Sequence, residues 1–193
     1  MHMIDDVREL DAAAVRGSVD VVGKVTVSDL SRSTPCADWD LRALLTHMTV
    51  QHRGFSAAAQ GRGDDPAAWQ PIDQDDPVRA YAAAAEDVLE AFAAEGVLER
   101  DFFLPDLGRA VSGRRAIGFH LVDYVVHGWD VAATIGTAYQ ASPAVLDAAL
   151  LIARAVPDGP ARRAPDAAFA PGLPVPAGAD TLEAILALLG RKC

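Results

Sequence analysis

The sequence predicts an all-α fold, a four-helix bundle with additional C-terminal helices, and three observations carry that prediction. Alanine dominates an apolar fraction of 51%, while aromatic residues make up only 6%; alanine is the best helix former and is depleted in strands. The alanine-rich segments are broken by proline and glycine, the residues that punctuate helices. At three of those breaks a capping residue stands before a periodic run: Asp76-Pro77, Ser142-Pro143 and Asp180. With 193 residues the chain reads as one domain, residues 1–193, with room for a real core.

A first helix is expected from about Asp5 to Lys24, with Val7, Leu10, Ala14, Val21 and Val22 as its apolar side and Gly17-Ser18 as a weak point. A second begins near Asp40 and runs past His52, with Leu41, Leu44, Met48 and Phe55 on its apolar stripe. The third has Asp76 as N-cap, Pro77 at the first helical position and Gly96 as its stop. Residues 100–112 form the one connection expected to contain extended pieces. A fourth helix spans Gly113 to Gly136, and a fifth starts at Ser142-Pro143 and ends before Pro157. Residues 157–179 hold six prolines and read as a surface loop. The last helix, "DTLEAILALLGR", has Asp180 as N-cap, Glu183 three residues on and Gly190 as its stop. Four long helices with short connections predict antiparallel neighbours.

The formal net charge of −10 and the lack of a basic block argue against nucleic acid as a partner. No apolar run is long enough to span a bilayer. The opening "MHMIDDVREL" has no basic segment followed by an apolar one, so a cytoplasmic protein is expected. Cys36 and Cys193 give no disulfide framework.

The fourth helix poses the functional question. In "HLVDYVVHGWD", residues 120–130, two histidines and two aspartates interrupt an apolar run. At about 100° per residue His120, Asp123, His127 and Asp130 fall on one stripe, and Asp123 and His127 have the i, i+4 spacing of neighbours. A buried carboxylate and imidazole need partners, so the stripe either faces water or holds something. Metal sites in helical bundles draw ligands from facing helices. The second helix offers His47 and His52, and His47, nearer the helix start, is the choice for a third ligand. A His47, Asp123, His127 set leaves a coordination position open, as in catalytic zinc sites, and its nitrogen and carboxylate donors suit zinc, nickel, iron or cobalt.

Plainer readings stand beside this one. An i, i+4 Asp/His pair is also a common surface ion pair worth a few tenths of a kcal/mol. His52 and His120 read as hydrogen-bonded interior residues and His2 as tail. Cys36, just before a helix, reads as a small buried filler, with a lowered thiol pKa as the alternative. Trp39 and Trp129 read as packing anchors. Asp130 either orients a ligand histidine or faces solvent.

"TPCADWDLRALLTHM", then "DYVVHGWDVA", then the closing "LEAILALLGR" resemble the DinB-like superfamily. More closely they resemble its actinobacterial metal-binding branch, related to the N-terminal domain of mycothiol-dependent maleylpyruvate isomerase. The resemblance implies a four-helix bundle holding a divalent metal, zinc first and nickel second, through the positions of His47, Asp123 and His127. It further implies a transferase or isomerase that uses a small-molecule thiol such as mycothiol on an electrophilic substrate. Two departures are visible: Asp123 stands where the isomerase pattern has Glu, and the chain lacks room for the isomerase's larger C-terminal domain. Maleylpyruvate is therefore not the expected substrate. The alternatives carried forward are a metal-dependent hydrolase and a non-catalytic metal-binding or dimerising helical module, with a homodimer as one form. The walls of a substrate cleft are expected near residues 100–112 and the 157–179 loop.

Overall fold

The computed structural model describes residues 6–36, 39–164 and 168–192; His2 and Cys193 lie outside the described residues. Among the described residues six α-helices form: α1 (Val7–Val22), α2 (Leu41–Ala59), α3 (Pro77–Phe92), α4 (Gly113–Ile135), α5 (Pro143–Ala155) and α6 (Thr181–Leu188). The expected all-α class holds. The extended pieces in the 100–112 connection are an antiparallel hairpin, β1 (Asp101–Leu104) and β2 (Arg109–Ser112), with Phe102 opposite Val111. No helix among the described residues is long and apolar enough to cross a membrane.

The caps do what their chemistry allows. Asp40, Asp76, Ser142 and Asp180 each accept a hydrogen bond from a backbone N–H of the first turn they precede. Asp180 and Glu183 complete a reciprocal capping box. Gly136 closes α4 in the left-handed region, φ 71°. One stop is displaced. α3 ends at Phe92, and Gly96, at φ 70°, opens a short 3-10 turn leading to the hairpin.

α1, α4, α2 and α3 close a ring, with α5 laid on α4 and α1 and with α6 on α5. The helix directions differ from the expected antiparallel pattern. Asp11 meets His120 and Ser18 lies against Gly128, so α1 and α4 run parallel. His52 faces Tyr81 and Ser56 reaches Asp87, so α2 and α3 run parallel too. His47 beside His127 and His52 beside His120 make α2 and α4 antiparallel. The consecutive pairs α1–α2 and α3–α4 are therefore antiparallel, as expected, and the departure lies at α2–α3, where the link of residues 60–76 is long enough to return along the bundle. The 60–76 link is itself packed. Trp69 lies against Gly54, where a Cβ would stand 2.2 Å from the indole, and donates its N–H to the Gly63 carbonyl.

A polar spine crosses the bundle centre. Asp11 of α1, His120 of α4 and His52 of α2 are all fully buried. His120 Nδ1 is 2.7 Å from Asp11 Oδ1, and its Nε2 is 3.1 Å from His52 Nδ1. Around them pack Phe55, Phe92, Tyr81 and Tyr124, and the His52 ring stacks on Tyr124 at 4.0 Å. His52 and His120 are thus hydrogen-bonded interior residues, as read from sequence. Burial, with the neighbouring His120, pushes His52 well below the ordinary histidine range, while burial pushes Asp11 up against the opposing pull of His120.

Two predictions follow from the spine. His120→Ala leaves buried polar groups on α1 and α2 without a partner, and urea unfolding should show a loss of about 3 kcal/mol or more. His52 takes up a proton near pH 6.5 in the unfolded chain but not in the folded one, so its contribution to stability is lost as pH falls below that value. Between pH 6.5 and 5 the His52→Phe protein should therefore show a shallower fall in stability, by up to one proton or about 1.4 kcal/mol per pH unit. Equal slopes in the two proteins would mean that His52 titrates normally.

Candidate metal centre

α2 and α4 run antiparallel with α2 entering where α4 approaches its end, which brings His47 opposite His127. One turn back on α4, Asp123 projects on the same side. One donor atom from each of His47, Asp123 and His127 lies within 4.8 Å of the others. The two imidazoles are 5.2 Å apart in an edge-on arrangement, and His127 Nε2 is 3.4 Å from Asp123 Oδ1. Asp123 thus presents a carboxylate oxygen within 4.8 Å of a ring nitrogen of each histidine. His127 is buried, whereas His47 and Asp123 are half-buried, so the cluster opens on one side.

The expected stripe on α4 is split in two. His120, two turns toward the helix start and about 10 Å away along the axis, belongs to the spine. Asp130 does not face solvent: it is fully buried, with Oδ2 3.0 Å from His127 Nδ1. A carboxylate at Nδ1 holds the ring so that Nε2 faces the other two donors. Gly128, between them, lets α4 approach its neighbours; a Cβ there would stand 2.7 Å from the Tyr139 ring.

Electrostatics separate the two imidazoles. Burial pushes His47 down to about 4, and the adjacent His127 adds to this, so it is a neutral donor near neutrality. Burial works against charge on His127 as well, but Asp123 and Asp130 outweigh it and raise its pKa. Burial would raise Asp130, yet its bonds to His127 and to Arg191 hold it below the usual carboxylate range. Trp39, expected as a packing anchor, packs on the core and places its ring 4.7 Å from the His47 ring. Trp129 packs against the cluster formed by α4, α5 and α6.

One neighbour of the cluster escaped the sequence reading. Arg191, just beyond α6, places Nε and Nη2 3.0–3.1 Å from the Asp130 carboxylate oxygens. Its Nη2 is also 3.2 Å from Cys36 Sγ. Its sequence signal was a pair of cations, Arg191-Lys192, after the Gly190 stop. Cys36, half-buried against the core, fits the filler reading; burial pushes its thiol up to about 11, with Asp130 adding to the effect and Arg191 opposing it, so the lowered-pKa alternative fails. The hairpin also lies elsewhere. β1 packs on the far end of α2 and on α3 and the start of α4, through Phe102 with Phe92, Ala116 and Ile117. Residues 100–112 therefore do not wall this site. Of the described residues of the 157–179 segment, Leu173 N–H donates to the Ala187 carbonyl of α6 and Arg162 to that of Leu188.

Residues 12–132 match the mycothiol maleylpyruvate isomerase N-terminal domain family. The match includes all three donors and Asp130 but not Arg191. Two uncharacterized proteins of Mycobacterium tuberculosis, from strains H37Rv and CDC 1551, are each 32% identical over 171 residues, 89% of this chain and 90% of theirs. Among solved structures, mycothiol-dependent maleylpyruvate isomerase is similar with a TM-score of 0.58 at 11% identity, over 78% of this chain and 69% of that one. A point mutant of the same enzyme gives 0.60 at 9% identity over the same shares. At such identities the likeness is one of fold.

The Cys36 environment yields a chemical test. In a Cys193→Ser background, alkylation of folded protein by iodoacetamide at pH 8 should run at least a hundredfold slower than that of a free thiol, because only the thiolate reacts. Alkylation at the rate of the denatured protein would show that Arg191 prevails over burial.

Proposed function

The chain belongs to the mycothiol maleylpyruvate isomerase N-terminal domain family, and from that premise we propose that it binds a divalent metal and acts with a low-molecular-weight thiol, mycothiol or a relative, as an S-transferase or isomerase. One observation carries the reading: His47, Asp123 and His127 converge from two helices, with the far nitrogen of His127 already tied to Asp130. The donor set fits a zinc-type or nickel-type ion. Such an ion, when bound with an open position, supplies a deprotonated thiol at neutral pH.

The chain's own residues do the rest of the work in this reading. Burial keeps His47 uncharged and able to donate a lone pair. Asp130 fixes the ring plane and tautomer of His127. Asp123, with its side chain 20% exposed, marks the side from which a thiol and an electrophilic substrate reach the donors. No maleylpyruvate-specific step is assigned. A second reading, a metal-binding helical module without turnover, draws on the position of two cavities. One of about 620 Å³ is lined by Arg53, Arg62, Asp87 and Glu90, and one of about 550 Å³ by Val156, Arg162 and Leu173. Neither includes the three donors.

Protein purified without chelator should carry zinc or nickel near one equivalent, and His47→Ala, Asp123→Ala and His127→Ala should each lose it. Retention by all three variants would overturn the assignment. Mycothiol should bind the metal-loaded protein with release of a proton, detected by calorimetry in two buffers of different ionisation enthalpy. Equal affinity for metal-free and metal-loaded protein, with no proton released, would remove the thiol reading and leave the module.

A further inference from the structure

α6 is a short helix whose two ends are both specified. The Asp180/Glu183 capping box fixes its start. At its end, Gly190 at φ 81° donates its N–H to the Ala187 carbonyl, and Arg191 N–H donates to the Leu186 carbonyl. These two bonds are the 5→2 and 6→1 pair of a Schellman motif, which fixes the direction of the chain after the helix. A Cβ at Gly190 would stand 2.7 Å from Ala170, so the turn is also tightly packed. The residue set by this turn is Arg191, and its side chain runs inward until it is 5% exposed.

What Arg191 meets there is specific. Its Nε lies 3.0 Å from Asp130 Oδ1 and 3.1 Å from Oδ2, and its Nη2 lies 3.0 Å from Oδ2. Oδ2 is the oxygen that accepts from His127 Nδ1. A carboxylate bound to an imidazole alone can swing about its χ angles and carry the ring with it. A planar guanidinium gripping both oxygens fixes the carboxylate plane, and with it the ring. The guanidinium also stands among Cys36, His127 and Asp130, three side chains whose donor atoms lie within 4.8 Å of one another and would otherwise form a second cation-binding set.

We propose that Arg191 is a positioning residue of the metal centre, acting through Asp130 on the ligand ring of His127, so that the segment after α6 completes a site otherwise built by α2 and α4. Arg191 lies outside the stretch matched to the family, and the inference rests on the proposed use of His47, Asp123 and His127 as metal ligands.

The test measures zinc affinity by competition with a chromophoric chelator, on the full chain, for the wild type, Arg191→Ala, Arg191→Lys, Asp130→Ala and the double variant Arg191→Ala/Asp130→Ala. Urea unfolding of the metal-free proteins runs in parallel. Arg191→Ala should weaken zinc binding by 10- to 100-fold, and Arg191→Lys, a point charge without the fork, should restore only part of it. The double variant should bind zinc no more weakly than Asp130→Ala, because the arginine has nothing left to act through. Wild-type affinity in folded Arg191→Ala, or additive losses in the double variant, would overturn the proposal. If Arg191→Ala does not fold, wild-type affinity in Arg191→Lys would overturn it equally. Failure of the wild type to bind zinc or nickel would instead overturn the metal centre itself.

Discussion

Each polar side chain that α4 carries into the interior has to be answered from another element, because an unpartnered buried charge or imidazole is expensive to desolvate. α4 is buried nearly all round, and its interior face includes His120, His127 and Asp130. The partners come from three places in the chain: Asp11 on α1, His52 and His47 on α2, and Arg191 after α6. This requirement ties the remote parts of the chain to one helix. It also selects the register in which α1, α2 and the C-terminal segment pack, since a shift of one residue along any of them would strand several polar groups at once.

The helix directions follow from the same demand. Asp11 sits in the first half of α1 and His120 in the first half of α4, so satisfying that pair with the helices side by side requires them to run parallel. α2 must present His52 to His120 and His47 to His127, an order that only the antiparallel direction allows. The long link between the parallel helices α2 and α3 is then a consequence of these directions. The connections carry packing of their own, with Trp69 filling the space that Gly54 leaves open and the hairpin covering Phe92 and Ile117.

What was legible in the sequence was what is local. The caps at Asp40, Asp76, Ser142 and Asp180 act within three residues, and each is found where its chemistry placed it. The Asp123/His127 pair is a matter of helical spacing, and the 100–112 connection does hold the extended pieces expected of it. Partnerships across the fold were not legible. Nothing near Asp11 announces His120, and nothing near Arg191 announces Asp130, because those pairings depend on helix order and direction. Gly96 shows the same limit in miniature: it does adopt a left-handed turn, but the helix it was expected to end had already stopped at Phe92.

The two Asp–His pairs on α4 show what distinguishes a core element from a candidate site. Both histidines give Nδ1 to a buried carboxylate, Asp11 for His120 and Asp130 for His127. In His120 the second nitrogen is engaged by His52 at 3.1 Å, and aromatic rings seal the whole arrangement. In His127 the second nitrogen faces Asp123 at 3.4 Å and His47, two half-buried donors on the open side. The first imidazole has spent both nitrogens on the fold. The second has Nε2 aimed at a cluster of donors, with its orientation already fixed from behind. A site differs from the core here in that one nitrogen is satisfied by a buried carboxylate while the other faces half-buried donors on an open side, and of the two α4 histidines it is His127 that has this arrangement.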